Sequence, residues 1–94
     1  MDDSLLKNRE TIARIAASHG AGNLRVFGSR ARNDARQDSD LDLLITLQRG
    51  RSLLDLVAIK QDLEDLLQCE VHVVTETSIS PYIRERIKNQ AVSL

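Results

Sequence analysis

Leu24-Arg25-Val26-Phe27-Gly28-Ser29 is followed, after ten intervening residues, by Asp40-Leu41-Asp42-Leu43-Leu44-Ile45. Both apolar runs have the character of short strands. Gly28-Ser29 closes the first, and Asp40 and Asp42 open the second. Side chains alternate along a strand, so Asp40 and Asp42 share one face. Two carboxylates so placed repel each other unless a cation lies between them. Hard divalent ions such as Mg²⁺ take carboxylate oxygens and keep positions open for phosphate. A Gly-Ser turn where a chain leaves a strand presents backbone N–H groups to an anion. A phosphate cradle beside a metal-binding carboxylate pair is the minimum hardware for moving a nucleotidyl group.

Working outward, the 94 residues suit one domain, 1–94, with a small core. Hydrophobic residues make up 41% of the chain but aromatic ones only 2%, which argues against the stacking platforms used on single-stranded nucleic acid. A net charge of −1 gives no basic field for nucleic acid or an anionic membrane, so direct binding to either is not expected. Cys69 is the lone cysteine and excludes an intrachain disulfide, which fits a reducing compartment. No apolar run approaches bilayer length, and Met1-Asp2-Asp3 is acidic, unlike a signal peptide. The expected location is the cytoplasm.

The element order reads α-β-α-β-α-β-α. A first helix is expected over about Leu5 to His19, ended by Gly20, then strands at Asn23–Phe27, Asp40–Leu47 and Glu70–Thr75. Ser29 to about Ala35 has the length of a short helix, and Asp34 to Ser39 reads as a loop. Ser52, with Asp55 three residues on, caps a helix running to about Gln68, with Leu53, Leu56, Val57, Leu63, Leu66 and Leu67 along its apolar side. Ser80-Pro81 opens a last helix whose expected buried stripe is Tyr82, Ile83, Ile87 and Ala91. The result is an α/β (α+β) layer: a small sheet of about three strands packed with helices.

Each motif also has a plain structural reading. Asp-x-Asp alone fits a solvated strand entry. Here the pair is followed by its strand rather than preceded by one, unlike the phosphatase arrangement, and no loop glycine and distal Glu complete an EF-hand. Gly28-Ser29-Arg30-Ala31-Arg32 alone fits a glycine turn with solvated arginines. It lacks the second glycine and Lys-Ser/Thr of a P-loop. The functional reading has Gly28 admit a phosphate and Ser29 donate to it. Arg30, Arg32 and Arg36 then bring charge to a triphosphate.

Taken together, Gly28-Ser29-Arg30-Ala31-Arg32 and Ser39-Asp40-Leu41-Asp42-Leu43 resemble the signature of the DNA polymerase β-type nucleotidyltransferase superfamily. The resemblance is to its minimal nucleotidyltransferase (MntA-like) branch from prokaryotic toxin–antitoxin pairs, and it covers most of the chain from Leu24 onward. It implies the polymerase β palm-like fold with a mixed sheet. It implies Mg²⁺, as a two-metal site, held by Asp40 and Asp42, and ATP as donor. It also implies a HEPN-type ribonuclease toxin as partner, with AMP transferred to a tyrosine of that toxin.

In-line attack on an α-phosphorus builds negative charge that metal ions held by shared carboxylates offset. A third carboxylate from the neighbouring strand usually completes such a site and takes the acceptor's proton. By the same resemblance, Val71-His72-Val73-Val74 puts His72 where an Asp is expected, with Glu70 on the same face one pleat away. Imidazole is a poorer ligand than carboxylate for Mg²⁺ and is better suited to Mn²⁺ or Zn²⁺. Its plain reading is a polar residue on a partly exposed strand. His19 reads as a helix-end residue, and Cys69 as a small packed side chain.

Three functions follow as expectations. The first is a Mg²⁺-dependent adenylyltransferase whose acceptor is brought by a protein partner or second subunit, in a homo-oligomer or a complex with the toxin. The second is a catalytically degenerate binding module that neutralises its partner by complex formation, an alternative favoured by His72. Transfer to a small molecule such as an aminoglycoside is the weakest, for want of an added helical domain.

Overall fold

A computed structural model describes residues 3–32 and 39–94. Its centre is the strand that begins between the two aspartates. The elements are α1 (Asp3–Lys7), α2 (Arg9–Ser18), β1 (Ala21–Phe27), β2 (Leu41–Leu47), α3 (Leu53–Leu67) and β3 (Val71–Thr75). A 3₁₀ turn (Glu76–Ser78), α4 (Pro81–Gln90) and β4 (Val92–Ser93) complete them. The sheet order is β3-β2-β1-β4, with β2 antiparallel to β1 and parallel to β3. The expected mixed α+β sheet is therefore present, with one strand more than the three expected. Val92 and Ser93 pair with Val26 and Arg25 of β1, and Leu94 N–H donates to Leu24 O at 3.0 Å.

Strand alternation divides the sheet into two faces. Val26, Leu41, Leu43, Ile45 and Val71 join Leu5, Ile12, Ala16, Ile59 and Leu63 in one core beneath the helices. Leu44, between Leu43 and Ile45, points to the opposite face and is also fully buried. β2 is thus covered on both sides at Leu43–Ile45, in its middle, and not over the whole later half that the apolar run suggested, since Thr46 is exposed. On that second face, Phe27, Asp42 and His72 form a row across β1, β2 and β3, because Phe27 pairs with Asp42 and Asp42 with His72.

α3 starts and stops as its sequence dictates. Ser52 Oγ accepts from Leu54 N–H at 3.2 Å, and Asp55 Oδ2 accepts from Ser52 N–H at 3.0 Å. Gln68 ends the helix in a left-handed conformation. The buried side of α3 is centred on Ile59 and Leu63, whereas Leu53 and Val57, expected on it, are exposed. The outer edge of β3 is closed by side chains. Glu64 Oε2 accepts from Val71 N–H at 2.9 Å and Lys60 Nζ donates to Val71 O at 2.7 Å. At the other end Ser78 Oγ accepts from Thr75 N–H and donates to Thr75 O. Such blocking keeps an edge strand from pairing with another chain.

Other expectations are corrected. The first helix is two, broken at Asn8, whose side chain donates to Ser4 O at 2.8 Å beside its own backbone N–H. Residues 29–32 make turns instead of a helix, with Ala31 N–H donating to Gly28 O and Arg32 N–H to Ser29 O. The remainder of that expected helix, the loop from Asp34 and Arg36 lie outside the described residues, save Ser39. Ser80 caps α4 and Pro81 is in its first turn, as expected. Its expected stripe is not buried: Tyr82 is 97% exposed and Ile83 43%, because α4 meets the sheet chiefly along β1. No helix among the described residues is long and apolar enough to cross a membrane.

Candidate active site

The site is assembled where the amino ends of β2 and β3 run side by side. Leu41 N–H donates to Glu70 O at 2.8 Å, which aligns Asp40 with Glu70 just ahead of the Asp42–His72 pair. Parallel register and alternation then put all four side chains on one face. His72 Nε2 lies 3.3 Å from Asp40 Oδ2 and 3.9 Å from Glu70 Oε1. Asp40, Glu70 and His72 each offer a ligand atom, and these lie within 4.8 Å of one another. Two carboxylates and an imidazole at this spacing fit a divalent cation, the oxygens suiting Mg²⁺ and the nitrogen leaning toward Mn²⁺. Asp42 stands beside the cluster, in the same row as His72.

The shelf is open. Asp40 and Glu70 side chains are each 58% exposed and His72 44%. Asp42 is the sheltered member. Burial pushes its carboxyl above the ordinary value, the charge of His72 pulls it back, and Asp40 pushes it up again. A cation at the shelf would hold this carboxylate ionised.

Gly28 lies directly against Asp42. Its φ is +75°, and a Cβ built there would run into Asp42 Oδ2. Its missing side chain thus makes room for the carboxylate. Antiparallel pairing of the two apolar runs sets Phe27 against Asp42, and Gly28 follows. Ser29 is half-buried in the turn beyond, and Arg32 is exposed. The sequence reading put Arg30 at an open phosphate site. The structure places it at 1% exposure, with Nη1 donating to Ser39 O at 3.1 Å and to Cys69 Sγ at 3.2 Å. Arg30 is turned into the protein, away from the shelf.

A concavity of about 580 Å³ lies elsewhere, at the carboxyl ends of β2 and β3, lined by Gln48, Arg49, Arg51, Leu53 and Thr77 among others. It contains none of the four acidic and imidazole groups of the shelf.

A family model described as the nucleotidyltransferase domain matches residues 9–94. The chain is 43% identical over 86 residues to "Putative protein adenylyltransferase MJ0435" of Methanocaldococcus jannaschii, covering 92% of each. A solved structure described as a "putative minimal nucleotidyltransferase" superposes with a TM-score of 0.87 at 45% identity, covering 100% of this chain and 97% of that one. The MNT antitoxin–HEPN toxin complex of Shewanella oneidensis, whose toxin is tri-AMPylated, matches with a TM-score of 0.70. That match is 17% identical, covers 94% of this chain and 69% of that one, and shows the fold alone.

Proposed function

The chain belongs to the nucleotidyltransferase domain family and is a nucleotidyltransferase; on that premise we propose that it transfers AMP from ATP to a tyrosine hydroxyl of a HEPN-type ribonuclease toxin, and so acts as its antitoxin. The observation that carries this reading is the gathering of Asp40, Asp42, Glu70 and His72 on one open sheet face beside the Gly28-Ser29 turn. The name of the Methanocaldococcus jannaschii relative and the AMPylated toxin in the Shewanella oneidensis complex support the choice of AMP and of a toxin acceptor. ATP and a ribonuclease meet in the cytoplasm, where the proposal locates the reaction.

In this reading Asp40, Asp42 and Glu70 hold Mg²⁺, which when bound offsets charge on the α-phosphate and the leaving pyrophosphate. Ser29 donates to the triphosphate, and exposed Arg32 adds charge at its rim. His72, set by its contact with Asp40, accepts the proton of the attacking phenol. The phenol oxygen bonds to the α-phosphorus, the bond from that phosphorus to the bridging oxygen breaks, and pyrophosphate departs. The openness of the shelf suits a macromolecular acceptor, whose docking excludes water from the charges.

One observation favours a second reading. An imidazole, not a carboxylate, stands opposite Asp42, which suits a module that inhibits its partner by binding alone. Labelled ATP separates the two. With Mg²⁺ and the partner toxin, label in the α-phosphate is expected on the toxin and EDTA is expected to abolish it. Label arriving from the γ-phosphate, or none from either, contradicts AMP transfer.

A further inference from the structure

Arg30 is the one charged residue buried among the described residues, at 1% exposure. A guanidinium is costly to bury unless hydrogen bonds compensate it. Its placement therefore has to be explained by what it holds. Nη1 donates to Ser39 O at 3.1 Å and to Cys69 Sγ at 3.2 Å. Ser39 immediately precedes Asp40, and Cys69 immediately precedes Glu70. One donor atom thus joins the backbone carbonyl just ahead of Asp40 to the side-chain thiol just ahead of Glu70, the two exposed carboxylates of the shelf.

The geometry points to Arg30 as a positioning residue that clamps the entries to β2 and β3 and so sets the separation at which Asp40 and Glu70 meet a divalent cation. This rests on the metal-holding reading above. The need for a clamp follows from charge and packing. Asp40 and Glu70 are both more than half exposed and touch His72 alone of the shelf, and their like charges push the two segments apart. Beyond the entries the parallel ladder holds the strands together from Leu41–Val71 onward. At the entries, Leu41 N–H to Glu70 O is the backbone bond that joins them. Both bonds leave one nitrogen, Nη1, held at the end of a planar guanidinium, a reach and direction that a lysine ammonium does not reproduce.

The test is a double-mutant cycle on Mn²⁺ binding, measured by calorimetry with the metal alone. Arg30→Met and Glu70→Gln are each expected to weaken binding by about tenfold or more, as groups that orient metal ligands do. Combined, they are expected to cost no more than either alone, because Glu70 is already out of place without its clamp. A purely structural Arg30 would lower the melting temperature yet leave the two losses additive. Additive losses, or parent-like affinity in Arg30→Met, overturn the clamp. Arg30→Lys keeps the buried charge and covers the case in which the methionine variant does not fold. It too is expected to bind Mn²⁺ more weakly, and parent-like affinity in a folded Arg30→Lys overturns the clamp. A parent chain whose Mn²⁺ binding is absent or unchanged by Asp40→Asn overturns the metal reading itself and the clamp with it, and the parent and Asp40→Asn titrations reveal that case before any Arg30 variant is made.

Discussion

Gly28 and Asp42 occupy each other's space: the left-handed glycine lies so close to the carboxylate that a Cβ on Gly28 would run into Asp42 Oδ2. Gly28→Ala therefore acts twice. The positive φ costs an L-residue roughly 1–2 kcal/mol of stability. The added methyl also drives Asp42 from its place. Denaturant unfolding and transfer rates together are expected to show a modestly destabilised protein with at least a tenfold loss of transfer, in line with the cost of small misplacements. A destabilised variant with parent-like transfer would remove Asp42 from the reaction.

The sheltered Asp42 also makes stability depend on pH. Burial raises its carboxyl in the folded state, with His72 opposing and Asp40 reinforcing the rise. The folded chain then binds this proton more tightly than the unfolded chain. The stabilisation is complete below the ordinary carboxylate value and is lost as pH climbs through the raised folded one. Asp42→Asn stays neutral and escapes that loss. Without metal, it is expected to melt above the parent at about pH 7, with the difference closing by about pH 3. A difference that grows toward acid would contradict the assignment.

His72 separates proton transfer from metal preference. His72→Ala is expected to lower turnover by about 100-fold or more, the usual worth of a general base, while ATP binding is kept. His72→Asp is expected to retain turnover and to favour Mg²⁺ over Mn²⁺ more than the parent does. Initial rates with each metal decide it. Parent-like rates in His72→Ala would take His72 out of the chemistry.

Ser52 tests a part of the fold that lies away from the shelf. Its hydroxyl and Asp55 form the reciprocal cap of α3. Ser52→Ala is expected to cost about 1 kcal/mol in urea unfolding and to leave Mn²⁺ binding unchanged. A loss of metal affinity would tie the start of α3 to the site.

Periodicity and caps in the sequence were enough to place β2, α3, β3 and α4 to within a residue or two, because their signals are local. Leu43, Leu44 and Ile45 announce a doubly covered strand, and Ser52 and Ser80 announce helix starts. What escaped depends on contacts between distant residues. Val92 and Ser93 form a strand only because Val26 and Arg25 offer an edge. Tyr82 and Ile83 look like a buried stripe until α4 is seen to meet the sheet mainly at β1. Asp40 and Asp42 were legible as candidates from alternation, and His72 with Glu70 from the family resemblance, but their approach needs the parallel register of β2 and β3. Arg30 looks from sequence like its neighbour Arg32. Only the approach of Ser39 and Cys69 shows that it points inward.

The most direct test of AMP transfer is the intact mass of the partner toxin after incubation with this chain, ATP and Mg²⁺. The parent is expected to add one or more AMP increments to the toxin, on tyrosine. The double variant Asp40→Asn/Asp42→Asn, folded and still bound to the toxin, is expected to add none. Equal mass gain with the double variant, or tight binding by the parent with no mass change, would contradict the account.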